Sequence, residues 1–339
     1  MSLLMYWMLS MYIISNMKIL LACFVAGILF GQSALADLTP EQAVAKERGL
    51  FLYNLRRTTE SAPFLKVAAE AGDRESQYLL GEVLRQQTTF LDDLSQTWFE
   101  LAAHQNDVYA MMRLFKVDDA LCKPLNKCYP ESNEFQGWRV AAKRVAESRA
   151  AKGDGEAMYQ LFLMSGEYDW LIKSAEAGFG QGQYWLSVEY RQGWDVFVVP
   201  GRRIKTADKW LLAAANSEYG PAMDELRSIL AERGDVRGNV YWTERAAKAG
   251  SLNAMINYAA WIADTSDYFR FPLDLVKAYG LTLTIVQAEL PSSVSYYERK
   301  LKRLRKKMTP DQVEAAVYFA EYWKKTYAPL SEFPVKYGL

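Results

Sequence analysis

The chain has 339 residues, half of them hydrophobic, and its 40 basic side chains are matched by 40 acidic ones. That balance excludes a general affinity for nucleic acid or for an anionic membrane surface, both of which need a basic excess. A single histidine, His104, excludes histidine-paired metal sites and any triad that needs a histidine elsewhere.

Residues 1–36 carry no acid and one base, Lys18, followed by the apolar run ILLACFVAGILFG and the small-x-small site Ala34-Leu35-Ala36. This order matches a secretory signal peptide cleaved between Ala36 and Asp37, with Met17 as the start. The run is short for a membrane span, which needs roughly 20 residues. A lipid-attachment site ending at Cys23 is the alternative. Cleavage leaves an excess of one acidic charge and directs the chain to the periplasm. Residues 37–63 are then expected to form an N-terminal capping helix.

From residue 64 to 297 the chain repeats itself. AAEAGDRESQYLLGEVL returns as SAEAGFGQGQYWLSVEY and RAAKAGSLNAMINYAAW. Aligned on Phe64, Trp98, Val145, Trp170, Trp210 and Trp242, the twelfth residue onward is always small: Ser76, Ala110, Ala157, Gly182, Ala222, Ala254. The sixteenth is always large and apolar: Leu80, Leu114, Leu161, Leu186, Leu226, Tyr258. Eight residues on, Gly72, Gly153, Gly178 and Gly250 stand where a helix should end, because glycine takes the left-handed cap without steric cost. Asn106 substitutes in the second unit, and Glu218 breaks the pattern in the fifth, with Gly220 two residues later. A blurred seventh unit starts at Leu281.

A helix, a tight turn and a second helix opening on a small residue cannot bury their apolar stripes alone, so neighbours must stack. The predicted fold is all-α: a solenoid of six to seven degenerate helical hairpins, with the position-one tryptophans in the core. Strand character is confined to VFVV, Val196 to Val199.

Two insertions interrupt the repeats. One carries CKPLNKC, where Cys122 and Cys128 read as a loop-pinning disulfide in an oxidising compartment, or as two free buried thiols. The other, QGWDVFVVPGRR, places Trp194 and Phe197 in an inter-helix loop, either folded back as local core or exposed as a partner-binding wedge. Residues 298–339 begin with ERKLKRLRKK, a basic capping helix or a site for an acidic partner surface or lipid headgroups. Thr309-Pro310 opens another helix, and YAPLSEFPVKYGL ends the chain as an extended cover.

AAEAGDRESQYLLGEVL and KTADKWLLAAA resemble the two halves of Sel-one-like repeats, short-helix relatives of the tetratricopeptide repeat. Only Gly81 keeps the family's glycine after the apolar leucine. The resemblance implies that the first helix of each unit lines a concave face, where the outward positions carry Glu82, Arg85, Lys116, Tyr159, Tyr184 and Arg191. Tyrosine and arginine are favoured interface anchors.

The chain has no GxSxG, GxxxxGK or HExxH, and its one SxxK, Ser15 to Lys18, lies in the cleaved segment. No pattern requires a cofactor or metal, so the expected role is non-catalytic protein binding on an elongated platform. Family members of similar size and signal serve as periplasmic immunity proteins that block type VI secreted lipases and phospholipases. That is the leading expectation, ahead of an envelope scaffold and of a hydrolase acting on cell-wall or β-lactam substrates.

Overall fold

The computed structural model describes residues 38–88, 91–115, 133–195, 199–264, 272–288 and 294–334. Among these the chain forms sixteen helices: α1 (Pro40–Asn54), α2 (Thr58–Glu70), α3 (Arg74–Thr88), α4 (Asp93–His104), α5 (Val108–Phe115), α6 (Asn133–Ala150), α7 (Gly155–Ser165) and α8 (Tyr168–Glu176). The second half comprises α9 (Gly180–Gln192), α10 (Arg202–Asn216), α11 (Gly220–Glu232), α12 (Val236–Lys248), α13 (Leu252–Trp261), α14 (Leu275–Gln287), α15 (Val294–Arg305) and α16 (Pro310–Thr326). Each helix from α1 to α14 packs on the next, and α15 and α16 both pack on α14. The protein is an all-α solenoid of helical hairpins. The one strand-like feature among the described residues is a parallel bridge between Ser251 and Ser331. No described helix is long and apolar enough to cross a membrane.

Each of the six units turns in the same way at its cap. The amide of the residue after each cap donates to the carbonyl five residues back: Asp73 to Ala68, Asp107 to Ala102, Asp154 to Arg149, Phe179 to Ser174, Tyr219 to Ala214 and Ser251 to Ala246, at 2.9–3.3 Å. This bond closes a helix through a left-handed residue. Gly72, Gly153, Gly178 and Gly250 supply it with φ between 84° and 93°, and Asn106 with 63°. Glu218 also adopts it, at φ 59°. The fifth unit therefore departs from the others in residue type and not in backbone, because the turn is held from both sides by packed helices.

The same residue that closes one helix opens the next. Side chains of Asp73, Asp107 and Asp154 accept from the amides of Ser76, Ala110 and Ala157 at 2.8–3.1 Å, and Ser251 does so for Ala254 at 3.1 Å. Each satisfies an otherwise orphan helical donor. In the two units with Phe179 and Tyr219 at this place there is no side-chain cap. These residues instead pack on glycines of the preceding unit: a Cβ on Gly155 would lie 2.8 Å from the Phe179 Cβ, and one on Gly180 2.9 Å from the Tyr219 Cβ.

Odd-numbered helices from α3 to α13 form the inner layer, of which α5, buried from Val108 to Leu114, is the most enclosed. The small and large positions predicted to face the core do so: Ser76, Ala110, Ala157, Gly182, Ala222 and Ala254 are buried, as are Leu80, Leu114, Leu161, Leu186, Leu226 and Tyr258. Two glutamines tie unit to unit. Gln77 donates to the Ala69 carbonyl and accepts from Gln105, while Gln183 donates to Ala175 and accepts from Ser217.

The position-one residues are less buried than the core placement expected of them. Trp242 is buried, but Trp98, Val145, Trp170 and Trp210 are half-buried and Phe64 is exposed. They lie on the flank of the outer layer, where Lys173 covers Trp170 at 4.5 Å and Arg245 covers Trp242 at 4.9 Å.

The stack is not elongated; it curls until its beginning meets its end. Arg57 donates to the Ala288 carbonyl at the end of α14 at 2.9 Å, and Glu332 donates its amide to the Asn54 carbonyl at 2.8 Å. Leu55, between α1 and α2, is buried in the same apolar cluster as Ile285 and Leu330. Small rotations between successive repeats accumulate into such curvature, which no single repeat encodes.

At the far end, the basic helix α15 buries Tyr297 and Leu304 and leaves Arg299, Lys302 and Arg303 exposed, as a capping helix does. Thr309 and Gln312 form a capping box in front of α16, with Pro310 at its first turn.

Candidate partner-binding surface

The residues expected to face a partner divide into three groups. Glu82 and Tyr159 are buried, which corrects their outward placement. Glu82 lies on the side of α3 that meets α5, where its carboxylate accepts from Arg113 Nε at 2.5 Å and Nη2 at 3.1 Å. Arg85, one turn on, donates to the same carboxylate at 3.1 Å. Tyr159 sits between Phe162 and Phe179, and its hydroxyl accepts from Gln181 at 3.5 Å. Both belong to the seams between units.

Tyr184, Arg191 and Trp194 are half-buried and locally engaged. Arg191 bridges Asp208 at 2.7 Å and Glu225 at 3.6 Å, and Arg233 joins Asp208 at 2.9 Å. The Tyr184 ring packs against Tyr219 and Trp185. Trp194 is folded back as local core: it stacks on Tyr168 with centroids 4.3 Å apart and leans on Tyr190 at 5.2 Å. Val199, at the end of the same loop, is 54% exposed. Lys116, Phe197, Cys122, Cys128, Ala36 and Asp37 lie outside the described residues. His104 ends α4, edge-on to Trp138 at 5.0 Å. Among the described residues no three His, Cys, Asp or Glu side chains come together as a metal site.

The surface left open is on the outer layer. Leu94 and Leu101 of α4, Val140 of α6, Ile204 and Leu212 of α10 and Tyr241 of α12 are exposed apolar side chains on four of the even-numbered helices. Single exposed apolar residues are ordinary, and it is a contiguous patch of them that distinguishes a contact surface.

A second feature lies across the inner turns. Residues 327–334 run extended over the start of α13. The amides of Ala328 and Ser331 donate to the Lys248 and Gly250 carbonyls at 3.2 and 2.8 Å, and the Leu252 amide donates to the Ser331 carbonyl at 3.2 Å. Arg56 pairs with Glu332 at 3.3 Å. The ring of Phe333 fills the space that a Cβ on Gly220 would need.

Burial of the seam tyrosines sets the response to alkali. Loss of solvent raises the Tyr53 phenol to about 12, assisted by the Glu82 charge, and does the same for Tyr184, with Glu225 adding to it, and for Tyr258. Tyr78, Tyr109, Tyr159 and Tyr219 are pushed up further by burial. Each group loses its proton more readily in the unfolded chain, at about pH 10. Their contribution is therefore intact below pH 10 and is lost as pH climbs toward 12. We expect phenolate absorbance and loss of helical circular dichroism to rise together in one cooperative step over that range. Separate, non-cooperative ionisation near pH 10 with helicity retained would contradict the burial.

The chain matches no protein-family model and no curated protein. Among the solved structures similar to it are two with repeat folds. One is a protective antigen of uropathogenic Escherichia coli displaying an SLR fold, 20% identical, covering 85% of this chain and 62% of that one, with a TM-score of 0.39. The other is a Sel1 repeat protein from Oxalobacter formigenes, 24% identical, covering 66% of this chain and 93% of that one, with a TM-score of 0.33. This chain thus spans less than two thirds of the length of the first of them.

Proposed function

We propose that this chain is an exported, non-catalytic protein-binding solenoid of the Sel-one-like type, acting in the periplasm as an immunity protein. In this reading it binds a toxin of the lipase or phospholipase class delivered by a type VI system and blocks the entrance to the toxin's active site. The observation that carries the reading is the group of exposed apolar side chains on the even-numbered helices α4, α6, α10 and α12, namely Leu94, Leu101, Val140, Ile204, Leu212 and Tyr241. It is supported by the signal-like leader and by the repeat motif AAEAGDRESQYLLGEVL. A tight complex would bury about 1,600 Å² in total.

The test is capture from periplasmic extract on the tagged, mature chain. A single stoichiometric toxin is expected, with capture lost in a Leu101→Arg, Leu212→Arg variant whose helicity is unchanged. Recovery of a multi-protein envelope assembly instead, or turnover of a lipid or cell-wall substrate by the purified chain, would overturn the assignment.

A further inference from the structure

Three glycines open helices of the inner layer and lie close under an aromatic residue. Gly155 is covered by Phe179 and Gly180 by Tyr219, each supplied by the next unit. Gly220 begins α11 in the same way, but the next unit has Ser251 where the ring should be. The Ser251 hydroxyl caps α13 and donates to Asp224 at 2.8 Å. The space over Gly220 is taken by the ring of Phe333, which reaches it from 82 residues further along the chain than Ser251.

The segment that delivers this ring is held the way a peptide ligand is held. Its bonds to Lys248, Gly250, Leu252 and Asn54 are all main chain to main chain. An extended segment adding to exposed backbone takes its affinity from such bonds and its selectivity from a few side-chain seats. Those seats are legible here: Leu330 is buried, Ser331 is the bridging residue, Glu332 meets Arg56, and Phe333 meets Gly220. Gly250 is required as well, since a Cβ there would run into the Pro329 carbonyl. The occupant is also imperfect. Phe333 is held at φ 50°, a left-handed conformation that is strained for a residue with a side chain.

We propose that the seat formed by Gly220, Gly250 to Leu252 and Asn54 to Arg56 is a docking site for an extended segment of a protein partner bearing a small–acidic–aromatic triplet. Residues 330–333 fill it as an intramolecular competitor. A partner segment that enters without the left-handed residue gains over the resident one. The inference rests on the protein-binding reading above, but it concerns a different surface from the outer apolar group.

The experiment uses the full chain and a fluorescein-labelled peptide of residues 327–334, YAPLSEFP, followed by fluorescence anisotropy. A tethered competitor acts at an effective concentration in the millimolar range. Loosening it by Phe333→Ala is therefore expected to tighten peptide binding by about tenfold or more relative to the wild-type chain. The same peptide with its phenylalanine replaced by alanine should not bind. Adding Gly220→Val to the Phe333→Ala chain should abolish binding with helicity retained, because the nearest neighbours of that position are atoms of the missing ring. Peptide binding that is equal in the three chains, or absent from the Phe333→Ala chain, overturns the proposal. Neither result bears on capture of a toxin by the outer layer, so the two readings fail separately.

Discussion

Glu82→Ala should unfold the protein more readily than any change on its surface, by about 3–5 kcal/mol in urea denaturation. The carboxylate is 3% exposed and receives both Arg113, itself 9% exposed, and Arg85. Removing it leaves a buried guanidinium without its main counter-charge, and the desolvation cost of that cation is no longer offset. The effect belongs to the buried charge and not to the contact. The double change Glu82→Leu, Arg113→Met is thus expected to recover most of the loss, since apolar residues of similar volume satisfy the same seam. A single mutant that loses less than about 1 kcal/mol, or a double mutant worse than the single, would show that the pair does not govern the α3–α5 seam.

The second large effect lies one turn away. Phe99 is fully buried, packs at 5.9 Å from the Tyr78 ring, and lies against Gly81, where a Cβ would come within 2.8 Å of its ring. Phe99→Ala is expected to cost about 3–5 kcal/mol through lost contact and residual cavity. Gly81→Ala overpacks the same spot and should cost about 1–3 kcal/mol. Because each change makes room for or fills the other, the double mutant should be more stable than the sum of the two predicts. Strict additivity would show that the two helices do not meet there. In native-state hydrogen exchange, protection should fall first through α3 to α5 and last in α12 and α13, since contacts in a solenoid are made mainly between neighbours.

Where helices end was readable from local chemistry. The left-handed cap needs glycine or asparagine, and Gly72, Asn106, Gly153, Gly178 and Gly250 stand at the caps. The capping carboxylates Asp73, Asp107 and Asp154 were equally visible, as the residue directly after each cap, although the period of small and large residues draws the eye first. Their role shows in their titration. Burial works against ionisation of Asp73 and Asp154, yet hydrogen bonds from Ser76 with Lys46, and from Ala157 with Arg149, hold both carboxyls below the ordinary range.

The amino-acid sequence alone determined that this chain is a run of helical hairpins, where each hairpin turns, and which small and large residues fill its seams. Those features depend on residues within about one helix of each other, so their pattern survives even where, as at Glu218, the residue type does not. Only the tertiary structure decided that Glu82 and Tyr159 turn inward, that Trp194 folds onto Tyr168, and that the stack curls until Glu332 reaches Asn54. Each of these is set by the rotation between neighbouring hairpins and by partners far away in the chain. The seat of Phe333 is the clearest instance: nothing near Gly220 in sequence announces that its ring must come from more than a hundred residues away.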